Sequence, residues 1–234
     1  MNATVAPTRP AARRRPGTAG PRPSWRVPVS LAVLSAIPVV AGSLRLVEIA
    51  GGPHLLTANP RITASPLPVV IHIVGATFYA LAGAFQFSAS FRRRRPGWHR
   101  TAGRVLIGAG LAVAGSALWM TLFYSGAPGG NLLWTVRLLV ASTMAGAIVL
   151  GFAAIRRRDI AAHRAWMIRA YALALGAGTQ TVTQGVGQAV FGTGELSTAL
   201  SISAGWVVNA AVAEWIIRRP DARRRRRAAV GGSR

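Results

Sequence analysis

Two histidines each stand just before an arginine at the head of a long apolar stretch. One is in Trp98-His99-Arg100-Thr101-Ala102-Gly103-Arg104, the other in Asp159-Ile160-Ala161-Ala162-His163-Arg164-Ala165-Trp166. A neutral imidazole is the usual axial ligand of a b-type haem in a helical bundle, and a six-coordinate iron takes two of them from opposite sides. His99 and His163 are the candidate pair, which makes haem b the cofactor they would imply. Arg100, Arg104, Arg164 and Arg169 are candidates for the propionates. In the alternative, structural reading both His-Arg pairs touch lipid headgroups and helix-end carbonyls. Depth favours the structural reading, because both histidines fall at a membrane surface rather than in the hydrocarbon.

Other polar side chains interrupt the apolar stretches with helical spacing. His72, Tyr79 and Gln86 recur every seven residues, so they share one face, with Gly75 and Gly83 nearby to let a second helix approach. Gln180, Gln184 and Gln188 form a second stripe at every fourth residue, flanked by Thr179, Thr181 and Thr183. Polar groups in lipid are costly and turn inward, to another helix, a cavity or a ligand. If the two stripes face each other, Gln86 lies level with Gln180 and His72 with Gln188. Arg137 has no local acid; it snorkels outward, binds an anion, or pairs with Glu195. Arg45 can pair with Glu48 three residues on. Asn209 and Glu214 are isolated polar groups in the last apolar stretch. Glu214 has Arg218 one turn on, or the two histidine clusters at its own depth, as partners. His54 falls in a loop.

No catalytic arrangement stands out: there is no Ser-His-Asp set, no HExxH, no phosphate-binding loop and no pair of membrane carboxylates. Cysteine is absent, which removes thiolate chemistry, disulfides and zinc–cysteine sites.

The elements that must hold these residues are membrane spans. The 234-residue chain is 51% hydrophobic, which is high for a soluble domain. Six stretches lack Asp, Glu and Arg, and each is about long enough for the ~20 helical residues that cross a bilayer core. They give spans near 27–48, 67–90, 103–124, 131–154, 165–190 and 197–217. The fold class is therefore all-α, a polytopic membrane bundle of six transmembrane helices. Residues 1–26 read as a disordered Arg/Pro-rich tail, 27–217 as the membrane domain and 218–234 as an Arg-rich tail. The run 27–44 is long for a leader peptide, and Ala41-Gly42-Ser43 is a poor cleavage site.

The net charge of +23 comes from 28 arginines against five acids. Its placement argues against nucleic acid. Of the 28, 25 lie in the two tails or around the second and fourth connections; only Arg45, Arg61 and Arg137 lie on the other side. Basic residues concentrate on the cytoplasmic side, so both termini are expected inside, against anionic phospholipid headgroups. Trp25, Trp98, Trp134, Trp166 and Trp215 fall near span ends, where an aromatic belt belongs.

The histidine segments already quoted, with His72-Ile73-Val74-Gly75, Ala82-Gly83-Ala84-Phe85-Gln86-Phe87, Trp206, Asn209 and Glu214, resemble the bacterial membrane-protein family catalogued as domain of unknown function 2306. The resemblance covers about residues 65–217. It implies a multi-pass protein of the bacterial inner membrane and assigns no activity. A more distant likeness, to membrane haem proteins of the cytochrome b561 type, is carried by histidines at helix ends. Three functions follow as expectations: a protein binding a lipid, quinone or other small ligand between helices; a haem-b redox protein using His99 and His163; or a small-solute transporter using the stripe Gln180, Gln184 and Gln188.

Overall fold

Proline, serine and aspartate mark where the helices begin. Proline at a first helical turn loses no hydrogen bond and has its φ preset; it opens the helices at Pro60, Pro68 and Pro96. Ser88 accepts a hydrogen bond from the Phe91 amide at 3.4 Å, and Asp159 accepts one from Ala162 at 2.9 Å, so each caps a helix. The computed structural model describes residues 25–126 and 128–231, with the backbone alone at 89, 90 and 220–231. The tail expected over 1–26 lies outside the described residues, apart from Trp25 and Arg26.

Among the described residues the helices are α1 Arg26–Ile49, α2 Pro60–Ala64, α3 Leu67–Gln86, α4 Ala89–Arg94, α5 Pro96–Phe123, α6 Gly130–Arg156, α7 Ile160–Ala174, α8 Gly176–Phe191 and α9 Glu195–Gly231. Five of them are long and apolar enough to cross a membrane: α1, α3, α5, α6 and the Glu195–Arg219 part of α9. The chain is thus an all-helical protein with several membrane-crossing helices.

The observed boundaries differ from the expected ones in four places. The second span ends at Gln86 rather than 90, because Ser88 starts the separate helix α4. The third begins at Pro96 rather than 103, which puts His99 inside the first turn. The last helix continues through the arginine run to Gly231. The fifth expected span is two helices, α7 of 15 residues and α8 of 16. At ~1.5 Å per residue, neither alone reaches across a ~30 Å core.

α7 and α8 nevertheless lie end to end along α9. Arg169 meets Glu214, Ala172 meets Asn209, Gly176 lies against Trp206, and Gln180 meets Ile202. One partner advances as the other retreats, so both helices share a single antiparallel register with α9. The break falls where Gly176 receives the Trp206 ring, a place where a Cβ would collide with the indole nitrogen.

The core is built where small residues let helices approach closely. It holds Tyr79, Leu106, Val113, Ala114, Met144, Ala147, Ile148, Ala170, Tyr171 and Leu175. α3 packs chiefly on α5 and α1, α6 on α7 and α5, and α8 on α9 and α1. The outward faces carry Val33, Ile37, Leu67, Leu139, Val182, Val190, Phe191 and Val207, all exposed. A belt of that composition belongs against hydrocarbon.

Candidate functional site between α3, α5 and α7

α3 and α5 run antiparallel with their small residues interleaved. The His72 ring nitrogen Nδ1 lies 3.2 Å from the Val113 carbonyl and 3.1 Å from Ser116 Oγ. Gly75 lies against Val113, and Tyr79 against Gly110. A Cβ added at Gly110 would sit 2.7 Å from both Tyr79 Cε2 and Ile148 Cδ1, so this level is full.

Two turns further along the same pair of faces, Gln86 replaces Tyr79 and Gly103 replaces Gly110. Here a Cβ added at Gly103 would meet nothing within 4 Å. Both amide atoms of Gln86, Oε1 and Nε2, are buried without a hydrogen-bond partner. So is Nδ1 of His99, one turn from Gly103. These three are the only such side-chain atoms among the described residues. Leaving a buried polar group unpaired costs about 1–3 kcal/mol, so these three atoms, on facing stretches of α3 and α5, mark the candidate site.

α7 supplies the third wall. His163 Nδ1 is 2.8 Å from the Gly151 carbonyl of α6. That acceptor assigns the proton to Nδ1 and leaves the lone pair on Nε2. His163 is close enough to His99 for their charges to interact, and Arg92 is a further electrostatic neighbour of His99. Arg92 Nη1 donates to the Gln86 carbonyl at 3.0 Å. Arg92 is exposed overall, yet partial desolvation of its guanidinium, with Arg164 and then Arg93 pushing the same way, holds it below the usual arginine range. The arginine-rich end of the bundle thus holds the Gln86 amide, bonded at its backbone carbonyl by Arg92, with His99, His163 and Arg164 as electrostatic neighbours. Such a set can hydrogen-bond a carbonyl or hydroxyl, bind an anion, or offer imidazole nitrogen to a metal.

The other candidate residues are placed elsewhere. Of the four arginines considered for propionates, Arg100, Arg104 and Arg164 are all exposed and Arg169 is bound to Glu214; Arg164 is an electrostatic neighbour of Arg92. Arg92 was missed, because in sequence it is one member of a four-arginine run with no visible distinction. Tyr79 packs its ring 5.8 Å from Tyr171, whose hydroxyl donates to the Ala80 carbonyl at 2.5 Å. α8 does not pack along α3, so the glutamine stripe is not brought level with His72 and Gln86. Gln180 donates to the Ile202 carbonyl at 3.2 Å, Gln184 is half-buried and Gln188 is exposed. Asn209 bridges the break between α7 and α8: its amide donates to the Ala172 carbonyl at 3.0 Å and its oxygen accepts from Thr179 at 2.7 Å.

Glu214 takes Arg169 as its main partner, at 2.6 Å, with Arg218 at 3.6 Å; neither histidine cluster is involved. Arg137 is half-buried and lies 3.5 Å from the Pro128 carbonyl. Glu195 is beside Gly130 and makes no ion pair among the described residues. At the same end Arg45 and Glu48 pair at 2.6 Å, and Glu48 also accepts from the amides of Leu55 and Leu56.

The family described as predicted membrane protein, domain of unknown function 2306 (DUF2306), matches residues 69–217, well over half of the sequence. The chain belongs to this family. No curated protein and no solved structure matches it. The DUF2306 segment runs from Val69 in α3 to Ile217 in α9, so it contains the whole site: Gln86, Arg92, His99, Gly103, His163 and Arg164. It leaves out α1 and the arginine run of α9. The DUF2306 segment therefore carries all of the candidate residues at this end of the bundle.

Proposed function

We propose that this DUF2306 protein crosses the bacterial inner membrane six times, with both termini in the cytoplasm, and binds an amphiphilic small ligand, a lipid or a quinone, in the gap between α3, α5 and α7. The continuous register of α7 and α8 along α9 supports the sixth crossing, since the two together are about as long as the apolar part of α9. The concentration of arginine at one end supports the orientation. One observation carries the ligand reading. Gln86 and His99 bury polar atoms without partners, and a Cβ at the neighbouring Gly103 would meet nothing within 4 Å. A ligand head with a carbonyl or hydroxyl would supply the missing hydrogen bonds, and its tail would leave between helices whose outer faces are apolar.

The test is to purify the protein in mild detergent, extract it with organic solvent and identify what is released by mass spectrometry. The expected result is one amphiphile near equimolar amount, lost from Gly103→Leu. An extract of detergent and bulk lipid alone, identical for both proteins, would refute the reading.

A second reading, haem b between His99 and His163, is favoured by the bond from His163 to the Gly151 carbonyl, which orients the ring and leaves Nε2 available. When bound, haem would supply one-electron transfer. His99 and His163 would hold its iron, and Arg92 and Arg164 its propionates. The purified protein would then show a Soret band, absent from His99→Ala and His163→Ala alike. A colourless protein leaves only the first reading.

A further inference from the structure

Six of the helices close a ring through their packing. α1 packs on α3, α3 on α5, α5 on α6, α6 on α9, α9 on α8, and α8 back on α1. α7 lies inside this ring at the arginine-rich end, against α3, α6 and α9. It stops at Ala174, so the outer half of the ring has no central helix among the described residues.

Two helices show what the wall presents there. α6 buries Leu133, Ala141, Met144 and Ile148 on one face, and Arg137, one turn from both Leu133 and Ala141, shares that face. Arg137 is half-buried and forms no ion pair among the described residues; its polar contact there is the Pro128 carbonyl at 3.5 Å. α8 is held from two opposite sides, by α9 at Gly176, Gln180 and Gly187 and by α1 at Gly178. Two faces are left. One carries Val182, Val186 and Val190, all exposed, and belongs against hydrocarbon. The other carries Thr181, Gln184 and Gln188 and therefore turns inward. Thr181 and Gln188 are exposed, and neither Gln184 nor Gln188 has a side-chain hydrogen bond among the described residues.

Arg137 and Gln184 also match in depth. Glu195 meets Gly130 where α9 and α6 begin, so Ile202 and Arg137, each two turns further on, lie level. Gln180 meets Ile202 and Gly187 meets Ser201, which puts Gln184 at the same level.

We propose that the outer half of the ring is an aqueous vestibule, closed towards the arginine-rich end by the core at Tyr79, Tyr171 and Leu175, in which Arg137 and Gln184 bind a small carboxylate. A guanidinium takes both oxygens of a carboxylate through its fork, and the Gln184 amide donates to the same group. One guanidinium flanked by neutral amides matches one negative charge, which favours a carboxylate over a phosphate dianion. Arg61, bound to Asn59 in α2 on the same side and likewise without an ion pair among the described residues, draws anions towards the mouth. This site is separate from the gap between α3, α5 and α7 and rests only on the six-crossing topology.

The chain has no cysteine, so single cysteines can report on the vestibule. The full-length protein carrying Thr181→Cys or Val186→Cys is placed in nanodiscs of zwitterionic lipid. It is treated with sulfonatoethyl methanethiosulfonate, an anion, or with its trimethylammonium counterpart, and rates are normalised to those of a free thiol. Thr181 is the deeper of the two along α8, yet it is expected to react, while Val186, against lipid, is not. At Thr181→Cys the anion should react about tenfold faster than the cation, as a focused positive potential requires, and Arg137→Gln should remove that preference. Propionate, exchanged for chloride at constant ionic strength, should slow the labelling of Thr181→Cys several-fold. Adding Arg137→Gln or Gln184→Leu should abolish this protection. A silent Thr181→Cys, or equal labelling of Val186→Cys, would overturn the vestibule. Labelling without charge preference or protection would overturn the anion site. Protection by inorganic phosphate and not by propionate would overturn the carboxylate assignment. Unchanged protection in both variants, each verified as folded by its own melt, would overturn the assignment to Arg137 and Gln184.

Discussion

Arg169 and Glu214 meet at two points, Nε to Oε1 at 2.6 Å and Nη2 to Oε2 at 3.2 Å, and so join α7 to α9 across the arginine-rich end of the bundle. The guanidinium also stacks over the Trp166 ring, 4.8 Å from its centre. A carboxylate in an apolar helix is thereby satisfied by a residue far away in sequence. The pair fixes the rotation of α7, and α7 carries His163 into the gap.

The strength of this tie is measurable. Both side chains remain about one-third exposed, at 31% and 34%, so screening limits the pair to about 1 kcal/mol or less. Arg169→Ala and Glu214→Ala should each lower the melting midpoint by a few degrees. The double variant should lose little more than either single one, because each removes the same interaction. Full additivity in a double-mutant cycle would contradict the contact.

The break between α7 and α8 depends on Asn209. In Asn209→Leu the Ala172 carbonyl and the Thr179 hydroxyl both lose their partner, at a cost of about 1–3 kcal/mol. Hydrogen exchange should rise over 172–180 and stay unchanged in α5 and α6. Uniform exchange across the whole protein would show that Asn209 does not hold the break.

The apolar spans were legible in the sequence because lipid demands long uninterrupted runs, and the Arg45–Glu48 pair because its partners are one turn apart. The break was not. Gly176 is one of several glycines in its segment, and what singles it out is Trp206, brought to it only by folding. For the same reason Arg169 could not be matched to Glu214. His99, His163 and Gln86 were recognisable as polar groups out of place. Their convergence was not, because it depends on the antiparallel register of α3 and α5, which is set by Tyr79 filling the groove at Gly110. The earlier start of α5 was readable in principle, since Pro96 is a first-turn proline.

The sixth crossing can be checked with topology reporters. Fusions at Gly130 and Gly194 are expected to report the periplasm, and fusions at Gly97 and Asp159 the cytoplasm. If α7 and α8 together fail to cross, Gly194 will report the cytoplasm instead, and the orientation of α9 must be revised.

Native mass spectrometry of the intact protein against two glycine variants tests most directly whether a ligand occupies the space proposed between α3, α5 and α7. A Cβ at either glycine would meet nothing within 4 Å, but Gly103 is half-buried and one heptad from Gly110 on the face of α5 that meets α3, whereas Gly108 is exposed. Leucine at either position meets no atom within 4 Å at its Cβ, so both variants should fold, and Gly108→Leu should melt close to the unaltered protein. A retained non-covalent mass is expected on the unaltered protein and on Gly108→Leu, and its loss from Gly103→Leu alone. An unaltered protein of bare polypeptide mass, or equal retention in all three, would contradict it.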